Sequence, residues 1–169
     1  YKRQKQDISW RIINNTDIIQ FEKNGLKHYV RSRLPSTTSA IAVRICRNKY
    51  LTKTFLSQAN ISTSKGYAIL KEDDETTMRA IFDNLQKPLV LKPTFGTHGK
   101  GIVLGIDNWE ELFRYITQWF QAPLFEGELI LEEMFVGREH RIVASREKII
   151  AIVERIPAFV KGDGQKTVQ

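Results

Sequence analysis

The chain has 169 residues, 41% of them hydrophobic, with one cysteine and a formal net charge of +7. Its pI is near 9.6. That length allows one domain or two small lobes, and that apolar fraction can bury a core. It has no apolar run of the roughly 18 residues that a membrane span needs, and a lone cysteine excludes an internal disulfide.

The opening YKRQKQ is basic with no apolar segment behind it, so no signal peptide is expected. The first residue is Tyr1 rather than Met, the expectation for a piece of something longer. A single thiol fits a cytoplasmic location, and Cys46, within the helix-like SAIAVRICRNK, is expected to be a buried structural side chain. The basic excess favours polyanionic partners: nucleic acid, nucleotide phosphates or acidic peptides. A solvated basic surface, to which Lys2, Arg3 and Lys5 contribute, accounts for it equally.

ISWRII (8–13) and DIIQF (17–21) read as short strands, and Asn24-Gly25 signals a hairpin into a third strand at 27–31. Ser36 or Thr37 is positioned to cap a helix over 40–46, and a second helix runs over about 50–58 until Asn60 stops it. GYAIL (66–70) is a strand candidate. EDDETTMRAIFDNL is a helix with acids in its first turn and an apolar stripe of Met78, Ile81, Phe82 and Leu85. PLVLKP and GIVLGI are strands around a glycine-rich loop. DNWEELFRYITQWF is an amphipathic helix capped by Asp107 or Asn108. ELILEEMF, REHRIVAS and KIIAIVERI give three more strands, the last two paired about Arg146 and Glu147. The pattern is α+β with mainly antiparallel pairing. It divides into an N-terminal β-meander with its connecting helix (1–44), a small lobe (45–90) and a β-rich lobe (91–169).

The loop FGTHGKG supplies Gly96, Gly99 and Gly101 for close approach of backbone N–H groups to phosphate, with Thr97 as a hydroxyl donor. Lys100 sits at its tip and Lys92 on the entering strand. Gly101 follows Gly-Lys where a Walker loop has Ser or Thr, and the spacing is not GxGxxG. The residues alone leave a phosphate cradle and a plain hairpin loop as alternatives, and they give His98 no role. Further along, Glu132, Glu133 and Glu139 follow one another across a strand end and a turn. They suit an adenine amine and ribose hydroxyls, although spacing alone favours a solvated acidic strand end.

Taken in order, NKYLTKTFL, LVLKPTFGTHGKGI, LILEEMFVGREHRI and RIPAFVKGDGQKTV resemble the ATP-grasp superfamily over about residues 30–169. Within it they resemble the ATP-grasp part of cyanophycin synthetase and of the bifunctional glutamate-cysteine ligase/glutathione synthetase. The resemblance implies an ATP-grasp fold of two α+β lobes, truncated at its C-terminal part. It also implies an ATP-dependent carboxylate–amine ligase working through an acyl phosphate. By the same resemblance Lys49 and Lys92 reach ATP phosphates, and Gly96, Thr97, Gly99, Lys100 and Gly101 form a flap over them. Glu132, its neighbour Glu133 and the Phe135 backbone lie at the adenine, Glu139 at the ribose, and Arg141 and Arg155 beside the phosphates and reacting carboxylate. The implied cofactors are ATP and Mg2+, with the metal ligands expected beyond residue 169, so this piece by itself is expected to be inactive. The implied partners are a carboxylate substrate, such as an acidic peptide or γ-glutamyl compound, and an amino-acid amine. No membrane or nucleic acid is expected, and a homo-oligomer is compatible. A nucleotide-binding ATP-grasp remnant without catalysis is the alternative. Nucleic-acid binding lacks an RNP-like aromatic strand or recognition helix.

Overall fold

Asn24 and Gly25 both take positive φ (50° and 76°), the geometry of a tight hairpin turn between right-twisted strands. The turn joins β2 (Ile18–Lys23) to β3 (Leu26–Arg31). With β1 (Ser9–Ile12) and the two-residue β4 (Leu34–Pro35) they form an antiparallel sheet in chain order. The computed structural model describes residues 7–96, 99–125 and 127–157, together with Phe159, Lys161 and Gly164. Proline is tolerated in β4 because this is an edge strand. The Ser36 and Thr38 amides close the following turn on the carbonyls of Tyr29 and Pro35. The helix cap therefore falls to Ser39, which accepts from the Ala42 amide, and not to Ser36 or Thr37.

Two helices follow, α1 (Ala40–Arg47) and α2 (Lys49–Gln58). The buried Asn48 separates them: its Oδ1 accepts from the Leu51 amide at 2.8 Å and caps α2. Asn60, at φ 56°, lies in the left-handed region just past the end of α2, as expected. Cys46 is exposed, contrary to expectation. The helical period half-buries Ala42, Val43 and Ile45 and leaves Cys46 beside Arg47 on the solvent side.

The second sheet is built from β5 (Gly66–Ile69), β6 (Leu89–Pro93), β7 (Val103–Ile106) and β8 (Leu129–Glu133), in the order β5-β8-β6-β7, every pairing antiparallel. Strand alternation gives it two unlike faces. Ile69, Leu89, Leu91, Leu129 and Leu131 pack as the core against α3 (Glu75–Asp83) and α4 (Trp109–Gln121). Those helices contribute Met78 and Phe82, and Trp109, Leu112 and Ile116. Asp74 and Asn108 cap them. The opposite face carries Gly66, Val90, Lys92, Ile130 and Glu132. The lobe boundary expected at residue 90 falls within β6, inside this sheet.

The chain divides into two compact units, Tyr1–Met134 and Phe135–Gln169. The second contains the hairpin of β9 (Glu139–Ala144) and β10 (Ile149–Arg155), closed about Arg146 and Glu147 by a bond from the Ser145 amide to the Lys148 carbonyl. Both strands are exposed along their length. Among the described residues no helix is long and apolar enough to cross a membrane.

Leu131 is fully buried at the centre of the core face. Leu131→Ala is expected to lower unfolding free energy by about 2–5 kcal/mol, read from the urea midpoint.

Candidate functional site

Glu132, the last residue but one of β8, lies on the face away from the core and is only 6% exposed. Its Oε1 accepts from Lys53 Nζ at 2.9 Å, and its Oε2 pairs with Lys92 Nζ. Lys92 comes from the neighbouring strand, two residues along from the Val90–Glu132 pairing and so on the same face, and the sheet register itself brings the two together. Lys53 comes from α2, and its ammonium also reaches the Ser64 carbonyl and, at 3.2 Å, Thr63 Oγ1. Burial pushes the Glu132 carboxyl up, but hydrogen bonds and charge from Lys92 and Lys53 outweigh it and hold the group below the usual carboxylate range.

A third lysine stands at the root of the glycine loop. Lys49 is the first residue of α2, and its amide donates to the Thr94 carbonyl at 2.9 Å. Thr94 is fully buried and held by the Glu128 carbonyl through its own amide and hydroxyl, at 2.9 and 3.1 Å. Lys49 Nζ then donates to the carbonyls of Pro93 (2.9 Å), Thr94 (3.4 Å) and Gly96 (3.3 Å). Partial burial lowers its pKa, the Lys92 charge lowers it further, and Glu132 opposes them. At the far end of the loop Gly101 (φ 72°) lies against α4; a Cβ there would fall 2.1 Å from the Trp119 ring. Gly96 and Gly99 also take positive φ but face open space. Lys100 is exposed between Gly99 and Gly101. Thr97 and His98 lie outside the described residues, as do Gly162 and Asp163 of the GDG segment.

Lys49, Lys92 and Glu132 are thus brought together beside Gly96. Glu133 is not one of them: alternation turns it to the other face, where its Oε1 accepts from the Gln86 amide at 3.0 Å. Sequence reasoning missed Lys53, although its spacing of four from Lys49 places both on one face of a helix. The Phe135 side chain is exposed. In the second unit, pairing puts Glu139, Arg141 and Arg155 on one face of the hairpin, and Arg155 Nη1 donates to Glu139 Oε1 at 2.6 Å.

No protein-family model matches the chain. It is 30% identical over 161 residues to cyanophycin synthetase of Synechocystis sp., covering 95% of this chain and 18% of that protein. It is 27% identical to the glutathione biosynthesis bifunctional protein of Desulfotalea psychrophila, covering 96% of this chain and 21% of the relative. The structure superposes with a TM-score of 0.56 and 26% identity on the D-alanine–D-alanine ligase of Bacillus anthracis complexed with ATP, over 68% of this chain and 36% of that one. This chain is a relative of the ATP-grasp ligases. It spans about a fifth of the length of the curated ATP-grasp relatives it matches.

Two tests follow from the geometry. A Cβ on Gly66 would meet Glu132 Cγ at 2.6 Å and the Leu131 carbonyl oxygen at 2.8 Å. Gly66→Ala should therefore destabilise the chain by about 1–3 kcal/mol in denaturant titration, since a backbone oxygen cannot step aside. The second concerns acid. Because the folded-state pKa of Glu132 is depressed, its contribution is present above roughly pH 4.3, the value for a free glutamate, and is lost as pH falls through the folded value. Unfolding free energy measured across that range should fall less steeply in Glu132→Gln than in the wild type.

Proposed function

We propose that this segment holds the phosphates of ATP within a longer ATP-dependent carboxylate–amine ligase. The observation that carries the reading is the meeting of Lys49, Lys92 and Glu132, from three distant stretches of chain, at the root of the Gly96–Gly101 loop. A nucleoside triphosphate needs clustered cationic donors and side-chain-free backbone in one place. In this reading Lys49 and Lys92 neutralise phosphate oxygens, with Lys49 exchanging loop carbonyls for phosphate. The amides of Gly96, Thr97, Gly99 and Gly101, with Lys100, cover the chain of phosphates. Glu132 and the Phe135 backbone face the adenine. Glu133 supports the strand end through Gln86. Glu139 takes the ribose, and Arg141 and Arg155 stabilise charge on the moving phosphoryl group. The small ATP-binding lobe then comprises the sheet of β5 to β8 with its helices, and the β9–β10 hairpin begins the second lobe.

The reaction is positional. A carboxylate oxygen of the acid attacks the γ-phosphorus, the bond to the bridging oxygen breaks, and ADP leaves. The amine nitrogen then attacks the acyl carbon, the C–O bond to phosphate breaks, and the nitrogen gives up a proton as the amide forms. Among the described residues no group of three or more His, Cys, Asp or Glu would hold a metal ion. The described residues by themselves therefore do not make a site for Mg2+.

Lys92→Ala should weaken ATP binding by about tenfold or more, since a charge-assisted contact is worth roughly 1.5–3 kcal/mol. Calorimetry giving equal affinities would overturn the assignment. In the longer protein, Arg155→Ala should lower acid- and amine-dependent phosphate release while ATP affinity is kept. Binding without turnover for every acid and amine pair would favour a nucleotide-binding module without catalysis.

A further inference from the structure

The Glu132 carboxylate lies between two ammonium groups whose surroundings differ. Lys92, on Oε2, has Glu132 as its one partner among the described residues, and its side chain is 23% exposed. Lys53, on Oε1, is 12% exposed. Its ammonium also donates to the Ser64 carbonyl, and it lies 3.2 Å from both Ser64 Oγ and Thr63 Oγ1. An ammonium has three N–H donors, so those of Lys53 all face protein acceptors. Lys92 keeps donors to offer.

The nucleotide reading asks two things of this cluster at once. Lys92 must turn to phosphate, and Glu132 must accept from the adenine amine. These demands conflict. A buried carboxylate that gives up one of two counter-charges is driven toward its neutral form. A protonated carboxyl has exchanged an acceptor for a donor and no longer suits an amine at that oxygen. Lys49 does not take over at Glu132, because its ammonium is engaged by the carbonyls of Pro93, Thr94 and Gly96. On the other neighbouring strand Gly66 stands opposite Glu132 and brings no charge. Lys53 is the counter-charge that stays.

We propose that Lys53 is a positioning residue for nucleotide: it keeps Glu132 ionised, with Oε1 anchored, while Lys92 turns to the phosphates. This role rests on the nucleotide reading and goes beyond it, since that reading makes no use of Lys53. Lys53 acts through Glu132 and touches no phosphate. Thr63 and Ser64, just ahead of β5, bear on nucleotide only by fixing the Lys53 ammonium. Hydrogen bonds and charge from both lysines hold the Glu132 carboxyl low against the burial that raises it, so loss of Lys53 lets it rise, and further once phosphate draws Lys92 away.

The test is calorimetry of ATP and of inorganic triphosphate with the 169-residue chain, from about pH 8 to about pH 5. The ratio of the two affinities reads the adenine side, because phosphate titration is common to both ligands. In the wild type this ratio should stay constant across the range. In Lys53→Met it should match the wild type near pH 8, where Glu132 is ionised in either protein. It should then fall by about tenfold towards pH 5, the loss of one charge-assisted contact. Lys53→Arg should restore the constant ratio, since a guanidinium also pairs with a carboxylate. Glu132→Gln added to Lys53→Met should remove the pH dependence, because an amide does not titrate in this range. Thermal melts show which variants are folded. Lys53→Gln, neutral but still able to donate to Thr63 and Ser64, takes the place of Lys53→Met if the latter is not. A Lys53→Met ratio equal to that of the wild type at every pH would overturn the proposal. So would a ratio lowered by the same factor at every pH, which would mark Lys53 as packing alone. Failure of the wild type to bind ATP, or Lys92→Ala without effect on either ligand, would overturn the nucleotide reading and this role with it.

Discussion

A carboxylate taken out of water must be paired, and Glu132 is the point on which the site turns. Leaving it alone would cost several kcal/mol in desolvation. Lys53 and Lys92 remove that cost, and each is drawn from a different element. The pairing therefore ties α2 to the second face of the sheet as well as neutralising one side chain. Gly66, directly opposite Glu132, is required by the same arrangement, because the carboxylate stem and the Leu131 carbonyl fill the space a side chain would need. A charged group on a sheet face thus fixes the placement of a helix, a loop and a glycine around it.

The glycine loop is governed at its two ends. At one, Lys49 gathers the carbonyls of Pro93, Thr94 and Gly96, and Thr94 is itself held by Glu128. At the other, Gly101 lies against Trp119. The loop therefore leaves and rejoins the sheet at defined points, and a Cβ at Gly96 or Gly99 would meet open space.

Local patterns were the most legible part of the sequence. Asn24-Gly25 fixed a turn, Asn108 fixed a cap, and Met78 and Phe82 of the expected stripe form a buried helix face, with Leu85 buried just past the end of α3. What could not be read depended on partners distant in the chain. Strand β4 exists only because β3 offers an edge, and its turn moves the helix cap to Ser39. Cys46 was expected inside because a helical run of small and apolar residues suggests a core, yet α1 buries none of its residues fully. For the site, motif order selected Lys49, Lys92 and Glu132, whereas Lys53, although inside NKYLTKTFL, shows its use only when Glu132 needs a second partner. Glu133 was grouped with Glu132 by adjacency, which in a strand means opposite faces.

That last parity bears on how the chain finds its register. A slip of β8 by one residue would exchange the faces of its side chains. Glu132 would then enter a core of leucines, and Leu131 would meet Lys53 and Lys92. In most sheets only hydrophobic burial penalises such an error, and collapsed misfolds can satisfy it in part. Here the same slip would strand one carboxylate and two ammonium groups at once. The paired charges of Glu132, Lys53 and Lys92 thereby also act during folding, as a check on strand alignment.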